Sequence, residues 1–515
     1  MTFCASGRFL RFIFLSAIWS FLALAQEAWI SEISPEELFF EGTRAEPVGD
    51  GKTLLKIGRS SDAFSFPSLL INLPQNSRDL SRRRFIEATF RNIGEAEIDL
   101  AFWAVGAPGW DAPVDSASLS PGESRLFSID LQQRWKGGLV GKIDSSEIRY
   151  LRVSLGKNSS GAALEMSPIS LRGKTSETAS APPDFQRLDV PDMTAESPAA
   201  GRRVRDQLPQ FQNTELYHAL YLPTDWKPGK RYPIIVEYAG NRWLSPPCHS
   251  IGSPEGSRMG YGMSEGKGYI WVNAPFVDFS GKTQALNGWG DPDATARYAI
   301  DLVNHVSANY RGDPSAVILT GFSRGAVACG YIGLRDDRVA DVWLAFHSCQ
   351  HFDGDGYGGA SFETALAERG PRIKGRPTFH TDNGDEKDLR ILFEKLAFPV
   401  TYASSDLGAH TDTMFLENRP STVKLREWLA ETVAKKPGTM TISGKVVDKN
   451  GKGIGGVLLQ SGPTHFTHTR PDGSYSLEGL VIGKREITAS HESWKAVHQL
   501  DPAEKNLSAI DFQKD

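Results

Sequence analysis

The stretch Ala316-Val-Ile-Leu-Thr-Gly-Phe-Ser-Arg-Gly-Ala-Val-Ala-Cys-Gly-Tyr-Ile332 decides the fold of the middle of this chain. Its first five residues predict a buried strand, and the apolar run from Ala326 predicts a helix. Between them lies Gly321-Phe-Ser-Arg-Gly325, a G-x-S-x-G pattern. A serine on such a strained strand-to-helix turn exposes its hydroxyl, and side chains at the two glycines would collide with neighbouring backbone. The pattern therefore predicts that Ser323 is a nucleophile.

The sequence around this turn alternates between strand and helix patterns from residue 200 to residue 434. Such alternation is typical of an α/β domain, with a mostly parallel sheet and helices on both of its faces. The strand candidates are 216–222, 232–239, 269–273, 316–320, 342–346, 378–381 and 400–404, and the helix candidates are 293–308, 389–396 and 422–434.

The regions on either side of residues 200–434 have strand patterns without intervening helices. Residues 26–173 contain four short runs with period-two alternation, which predicts an antiparallel sandwich. Residues 174–199 are rich in Ser, Thr, Ala and Pro, so we expect a linker there. Residues 438–515 predict a second, smaller sandwich. The four alternating runs of the first sandwich are 85–90, 97–103, 124–130 and 147–154.

The first 25 residues predict export. Arg8 and Arg11 precede an apolar run that ends in Ala23-Leu-Ala25, the pattern that signal peptidase cleaves. The run is short for a membrane span, so an uncleaved anchor is the less favoured alternative. We expect a secreted or periplasmic monomer with no stable membrane insertion after cleavage. The formal net charge of -5 argues against nucleic acid as a partner.

A serine hydroxyl needs a histidine to take its proton and a carboxylate to orient that histidine. In chain order the acid should follow the serine and precede the histidine. His410, which follows the last strand candidate, meets this requirement. The turn after strand 378–381 holds three aspartates. We favour Asp385, with Asp388 as the alternative and Asp382 as the third choice.

An acyl-transfer site also needs donors for the developing oxyanion. The first is the amide of Arg324, the residue after the nucleophile, and the second is the amide of Asn241 or Arg242 in the loop after the strand candidate 232–239. Further polar and aromatic residues follow strands whose ends meet at the same edge of the sheet. We expect these residues to bind substrate: Arg242, Trp243, Trp289, His347 and His351.

These features resemble the α/β-hydrolase superfamily over about residues 200–434. Within it, the layout is similar to secreted esterases related to polyhydroxybutyrate depolymerase, feruloyl esterase and acetylxylan esterase. Ser323-Arg324 also resembles the elbow of glucuronoyl esterases, although Phe322 replaces their cysteine. The resemblance implies a serine esterase that requires no cofactor.

The two flanking regions also resemble known modules. The strand leading into Asn92-Ile-Gly94 and the turn Leu119–Glu123 resemble jelly-roll modules found beside polysaccharide-degrading enzymes. Ser443-Gly-Lys-Val-Val-Asp448 and Pro471-Asp-Gly-Ser-Tyr-Ser-Leu477 resemble the carboxypeptidase regulatory-like module, a small transthyretin-type sandwich. That module has no catalytic groups, so Asp472-Gly473 predicts a hairpin turn.

Three cysteines remain after Cys4 is removed with the leader. Cys248 and Cys349 follow strands whose loops meet at the carboxyl edge of the sheet, so we expect a disulfide between them, with Cys329 as a buried thiol. Three free thiols are the alternative. No histidine and carboxylate set with known ligand spacing occurs, so we expect no metal.

Taken together, these patterns predict an exported serine hydrolase that cleaves carboxylic esters. The substrate would be an ester-bearing polysaccharide or a small ester. One alternative is a serine peptidase of the prolyl-oligopeptidase type, because the same triad cleaves amides. The other is an inactive hydrolase that serves as a carbohydrate-binding or adhesion protein. An intact Ser, Asp and His set in the expected order weighs against the second alternative.

Overall fold

The fold is taken from a computed structural model. The chain divides into two compact units near residue 178. No helix in the described part of the chain is long and apolar enough to cross a membrane. The structure describes residues 28–30, 38–41, 43–47, 53–57, 68–106, 113–132, 145–156, 162–174, 185–243, 250–382, 387–397, 399–405, 410–483, 485–492, 494–501 and 506–514.

The first unit is a sandwich of two antiparallel sheets within the described residues. One sheet has the order β1-β12-β6-β11-β4-β3 with β9 also on β6, and the other has the order β2-β5-β10-β7-β8. The strands are β1 Ala28–Ile30, β2 Leu38–Glu41, β3 Thr43–Pro47, β4 Thr53–Ile57, β5 Ser68–Asn72, β6 Arg83–Asn92, β7 Ile98–Gly106, β8 Val114–Leu119, β9 Ser124–Asp130, β10 Ile148–Leu155, β11 Ala163–Met166 and β12 Ile169–Lys174.

Aromatic side chains join the two sheets of this unit. The ring of Phe90 on β6 meets the ring of Phe102 on β7 edge to face, with centroids 5.4 Å apart. Phe127 on β9 lies 5.2 Å from Phe90 in the same manner. All three side chains are buried. The alternation that predicted the four longer strands reflects this arrangement, because every second residue enters the core.

The second unit contains a sheet of nine strands among the described residues. Its order is β13-β14-β15-β17-β16-β18-β19-β20-β21, and the pairs from β17 to β21 are parallel. The strands are β13 Met193–Thr194, β14 Arg203–Asp206, β15 His218–Tyr221, β16 Tyr232–Tyr238, β17 Ile270–Ala274, β18 Gly312–Phe322, β19 Ala345–Cys349, β20 Thr378–Asp382 and β21 Thr401–Ser404.

Helices cover both faces of this sheet. Along β16, Ile234 and Val236 belong to one apolar cluster and Ile235 belongs to another. The first cluster includes Val303 of α2, and the second includes Leu425 of α7. The helices are α1 Met259–Ser264, α2 Pro292–Tyr310, α3 Arg324–Tyr331, α4 Asp337–Ala340, α5 Phe362–Thr364, α6 Lys387–Leu396 and α7 Pro420–Ala434.

Part of the segment 174–199, predicted to be a linker, is bonded to the nine-stranded sheet and its surroundings in the described residues. Strand β13 joins the nine-stranded sheet by pairing with β14. The amide of Leu188 donates to the carbonyl of Leu416 at 2.7 Å. A polar composition does not exclude a short strand here, because a strand at the edge of a sheet is held by backbone hydrogen bonds, which do not depend on the side chains.

The end of the chain forms two further sheets, each of four strands in the described residues. Their inner faces share one apolar cluster that includes Ile442, Leu459 and Phe512. A tight turn is present at the predicted position, with Gly473 at a φ of 79° and its amide donating to the carbonyl of Arg470 at 2.8 Å. It is not a hairpin between paired strands, because the strands His465–His468 and Ser474–Val481 on either side of it belong to different sheets. The strands are β22 Thr439–Asp448, β23 Leu458–Ser461, β24 His465–His468, β25 Ser474–Val481, β26 Arg485–His491, β27 Trp494–Leu500, β28 Asn506–Leu507 and β29 Phe512–Lys514.

Candidate active site

Ser323 occupies the sharp turn between β18 and α3. Its backbone has a φ of 55° and a ψ of -119°, which is a strained conformation for any residue with a side chain. The residue is half-buried, whereas its neighbours Phe322 and Arg324 are buried. The turn therefore lifts one hydroxyl out of an otherwise closed strand-to-helix junction.

Two glycines make this turn possible. A Cβ on Gly321 would lie 2.0 Å from the carbonyl oxygen of Gly325. A Cβ on Gly325 would lie 1.9 Å from the carbonyl oxygen of Tyr238, at the end of β16. Because both obstacles are backbone atoms, a side chain at either position would displace α3 or β16. This is the physical reason for the glycines on both sides of Ser323.

His410 lies beside the serine. Its Nε2 is 2.9 Å from Oγ of Ser323, and its ring packs on the ring of Phe322 with centroids 4.8 Å apart. The two residues come from the junction after β18 and the segment after β21, so the fold brings them together across 87 positions of the chain. A histidine at this distance is placed to take the proton of the hydroxyl.

Burial lowers the pKa of His410 to about 3, and the nearby His351 shifts it in the same direction. The two imidazole rings meet nearly at right angles, with centroids 5.3 Å apart. A lowered pKa keeps His410 neutral near pH 7. The neutral ring is the form that can accept a proton from Ser323.

The acid of the triad remains a prediction. Asp385, the favoured residue, lies outside the described residues. Asp388 is in α6, but its side chain is also outside what the structure describes. Asp382, the third choice, is the last residue of β20 and is buried.

The two predicted oxyanion loops adjoin each other. A Cβ on Gly240 would lie 3.1 Å from the ring of Phe322, so the loop after β16 passes directly beside the serine turn. Within the described part of the chain, the amides of Arg324 and Asn241 make no hydrogen bond. The amide of Arg242 instead donates to the carbonyl of Leu286 at 2.9 Å. Of the two candidates for the second donor, this favours Asn241.

The side chain of Arg324 has a role that the sequence did not suggest. It is buried, and its guanidinium lies over the ring of Phe276 at 3.9 Å. Its two Nη atoms donate to four backbone carbonyls, which belong to different loops around the serine. These acceptors are Gly240 at 3.0 Å, Gly252 at 3.2 Å, Ala285 at 3.0 Å and Gly288 at 2.8 Å. Arg324 therefore positions the loops that surround Ser323.

The side chain of Asn241 links its own loop to the loops that contain Tyr357 and Gly288. Its Nδ2 donates to the hydroxyl of Tyr357 at 2.6 Å, and its Oδ1 accepts from the amide of Gly288 at 3.0 Å. Tyr357 was not predicted as a site residue, because an isolated tyrosine in a glycine-rich loop carries no local signal. With its side chain held in this way, Asn241 has its backbone fixed beside the serine turn.

Three of the predicted substrate-binding residues are accessible. The side chain of His351 is 41% exposed, and its Nδ1 is 2.8 Å from Oδ2 of Asp355. Arg242 is exposed and Trp243 is half-buried on the loop after β16. The ring of His351 also meets that of His410, with centroids 5.3 Å apart.

The structure contradicts the placement of His347 and Trp289 in a substrate pocket. His347 lies within β19 and is fully buried, with hydroxyl oxygens of Thr320 at 2.7 Å from Nδ1 and Thr381 at 3.0 Å from Nε2. Trp289 is buried against Tyr331, and its Nε1 donates to the carbonyl of Gly358 at 2.8 Å. Both are core residues, because their polar atoms are already bonded inside the protein.

The disulfide predicted between Cys248 and Cys349 is also wrong. Cys349 is a free thiol, and Cys248 lies outside the described residues. Cys349 is the last residue of β19, and its side chain enters the apolar cluster that contains Phe379 and Phe415. The prediction placed Cys349 in a loop. The strand includes Cys349, and its sulfur points into the core. Burial raises the pKa of this thiol.

No family model and no curated protein matches this chain. Among solved structures, it is similar to esterase 2 of Thermogutta terrifontis, with 16% identity over 45% of this chain and 93% of that chain and a TM-score of 0.31. It is also similar to the S954A mutant of the feruloyl esterase module from Clostridium thermocellum, with 14% identity over 48% of this chain and 95% of that chain and a TM-score of 0.30.

A third similarity involves a non-catalytic module. The family 11 carbohydrate-binding module from Clostridium thermocellum shares 16% identity over 26% of this chain and 84% of that chain, with a TM-score of 0.20. The first two neighbours are an esterase and a feruloyl esterase module.

Proposed function

We propose that this protein is a serine hydrolase that cleaves carboxylic esters. The observation that carries the proposal is the 2.9 Å separation between Oγ of Ser323 and Nε2 of His410 on a strained, half-exposed turn. A hydroxyl with a neutral imidazole at this distance has a base for its proton. The turn lies at the carboxyl end of β18, the edge at which ligands bind in open parallel sheets.

In the proposed reaction His410 takes the proton of Ser323 as Oγ bonds to the ester carbonyl carbon. The amides of Arg324 and Asn241 donate to the resulting oxyanion. The bond to the leaving alcohol then breaks, and the alcohol leaves with the proton from His410. Water next gives a proton to His410 and attacks the acyl-enzyme, and the acid is released as Ser323 regains its proton. In this proposal Asp385 holds the histidine in the required tautomer.

The substrate proposed is an acyl ester on a polysaccharide, outside the cell or in the periplasm. The leader-like first 25 residues and the two flanking sandwiches support this choice. Arg242, Trp243 and His351 are accessible polar and aromatic groups that suit a sugar or an aryl acid. The same serine and histidine would also cleave an amide, so a peptidase is the second candidate.

Hydrolysis of p-nitrophenyl acetate and butyrate by the full chain tests the proposal. Ser323→Ala and His410→Ala should each lower kcat/KM by roughly 10^4-fold or more. Ser348→Ala is the matched control, because Ser348 also bonds a histidine, His380, but lies fully buried in β19. It should retain activity within about threefold, as expected of a residue outside the site.

Activity that persists in Ser323→Ala would reject the proposed nucleophile. A prolyl anilide should be hydrolysed slowly or not at all, and turnover of the anilide above that of the esters would favour the peptidase. Release of acetate or ferulate from acylated xylan would support the polysaccharide substrate, while turnover of the small esters alone would reject it.

A further inference from the structure

A second cluster of chemically active side chains lies outside the candidate active site. Asp206 ends β14, His218 begins β15 and His305 lies in α2. One ligand atom from each residue lies within 4.8 Å of the others. Nε2 of His305 is 3.0 Å from Oδ2 of Asp206, and Nε2 of His218 is 3.4 Å from the same oxygen.

His218 is the informative member of this cluster. Its side chain is fully buried, and its Nε2 makes no hydrogen bond although it faces the carboxylate. A buried polar nitrogen without a hydrogen bond is costly unless another group satisfies it.

The two separations from Asp206 are compatible with a metal site. Four ligands placed tetrahedrally at zinc-to-ligand distances near 2.0 to 2.1 Å are about 3.3 Å from one another. The two measured separations from Asp206 lie close to that value. Two imidazoles and one carboxylate are ligands that suit zinc and neighbouring transition metals rather than calcium or magnesium.

We propose that Asp206, His218 and His305 bind one divalent transition metal ion such as Zn²⁺. The ion would link the edge of the sheet to α2, which covers one face of it. Its role would be structural, and solvent reaches the cluster, since the side chains of Asp206 and His305 are 18% and 14% exposed. The hydroxyl of Tyr310 also donates to Oδ2 of Asp206, at 3.2 Å.

Second-sphere partners set the protonation that metal binding needs. Nδ1 of His218 lies 3.0 Å from the hydroxyl of Tyr298, so a proton on Nδ1 would leave Nε2 for the ion. Nδ1 of His305 lies 3.1 Å from Nδ2, the side-chain amide nitrogen of the exposed Asn309. On binding, that amide would turn so that its oxygen accepts the proton of His305.

No metal site is expected from the sequence, because these three ligands lack the short spacing of a known motif. The three ligands are dispersed over 100 positions, and no pair has the short spacing of a known motif. Asp206 and His218 come together because β14 pairs with β15 and places these two residues opposite each other. The helix α2 then supplies His305 from across the sheet face.

The test uses the full chain after treatment with EDTA and dialysis. Titration with Co²⁺, followed by its absorption between about 500 and 700 nm, should reach one ion per chain, as expected for a site with two imidazoles and a carboxylate. Addition of Zn²⁺ should abolish this absorption and raise the Tm, because the ion binds only the folded chain.

His305→Gln and Asp206→Asn should each weaken Zn²⁺ binding by at least about 100-fold and remove the increase in Tm. Both positions reach the surface, so the variants should keep the native far-UV circular dichroism. His468→Gln, at an exposed histidine in the last sandwich, and His351→Gln should bind like the unchanged chain.

Lack of Co²⁺ binding by the unchanged chain would overturn the proposal. Equal binding in His305→Gln and Asp206→Asn would also overturn it, and so would loss of binding in His351→Gln. None of these measurements uses ester hydrolysis, so the proposal stands or falls independently of the proposed activity.

Discussion

Two serine and histidine pairs belong to the domain of the nine-stranded sheet, and only one of the two has the features of a nucleophile and its base. Oγ of Ser323 is 2.9 Å from Nε2 of His410, and Oγ of Ser348 is 2.8 Å from Nδ1 of His380. The distances are the same to within 0.1 Å. The separation of oxygen and nitrogen therefore does not distinguish a reactive pair from a structural one.

The backbone distinguishes them. Ser348 and His380 are direct partners in the parallel register of β19 and β20, and both are fully buried. Ser323 instead lies past the end of β18 with a positive φ, and His410 comes from the segment after the last strand. The strained turn makes one hydroxyl accessible to substrate, whereas the regular register closes the other within the sheet. A hydrogen bond inside a sheet stabilises the fold, and the same bond on a strained turn is available for chemistry.

The largest expected effect beyond loss of the serine or histidine concerns the acid. Asp385→Asn should lower kcat of ester hydrolysis by roughly 10^4-fold, because the histidine would lose the group that fixes its tautomer. Asp388→Asn is the matched control and should lower kcat by less than about tenfold. The reverse ranking in steady-state kinetics would assign the acid to Asp388, and a large loss only in Asp382→Asn would assign it to the third candidate.

The turn itself is tested by Gly325→Ala. Its Cβ would meet the carbonyl oxygen of Tyr238 at 1.9 Å, so we expect a loss of about 3 kcal/mol or more in the free energy of unfolding, together with a loss of ester hydrolysis. Gly288→Ala serves as the control, because its Cβ would meet nothing within 4 Å. That variant should lose only about 1 kcal/mol for its positive φ. Urea unfolding measures both, and equal losses would contradict the account of the turn.

The buried pair should matter for stability alone. Ser348→Ala leaves Nδ1 of His380 without its hydroxyl partner in the sheet, which should cost about 1–3 kcal/mol in the free energy of unfolding. Ser323→Ala should change the free energy of unfolding by less than about 0.5 kcal/mol, since a half-exposed hydroxyl is replaced. If urea unfolding gave the opposite ranking, the distinction between the two pairs would fail.

The smallest expected effect is on the pH profile. Burial and His351 both lower the pKa of His410, which keeps it a neutral base as the pH falls below the usual range of histidine. In His351→Gln the contribution of His351 is lost, so the pKa of His410 should rise. The acid limb of kcat/KM against pH should then move to higher pH. Movement to lower pH would show that His351 acts on His410 in another way.

Local patterns predicted the elements of the fold and the members of the serine pair. The strand and helix signals around Ser323 are continuous in sequence, and the order of serine before histidine is the one that the resemblance to α/β-hydrolases implies. The predicted strand 316–320 lies within β18, and the predicted helix 293–308 lies within α2. These features depend on local sequence periodicity, which a single chain displays directly.

Features that depend on register were not predictable. The end of β19 decides whether His347 and Cys349 lie in a loop at the pocket or in the strand, where their side chains are buried. A shift of one residue in the end or register of a strand moves a side chain to the opposite face of the sheet. The four carbonyls that Arg324 binds come from loops whose approach no short pattern encodes. For the same reason no sequence pattern indicates the cluster of Asp206, His218 and His305, which is formed only by the folded chain.

The most direct test of the central claim is the intact mass of the folded chain after treatment with a fluorophosphonate, which reports an activated serine without assuming a substrate. The unchanged chain and Ser348→Ala should each gain the mass of one adduct, and Ser323→Ala should gain none. An adduct that persists in Ser323→Ala, or its absence from the unchanged chain, would contradict the assignment of Ser323 as the nucleophile.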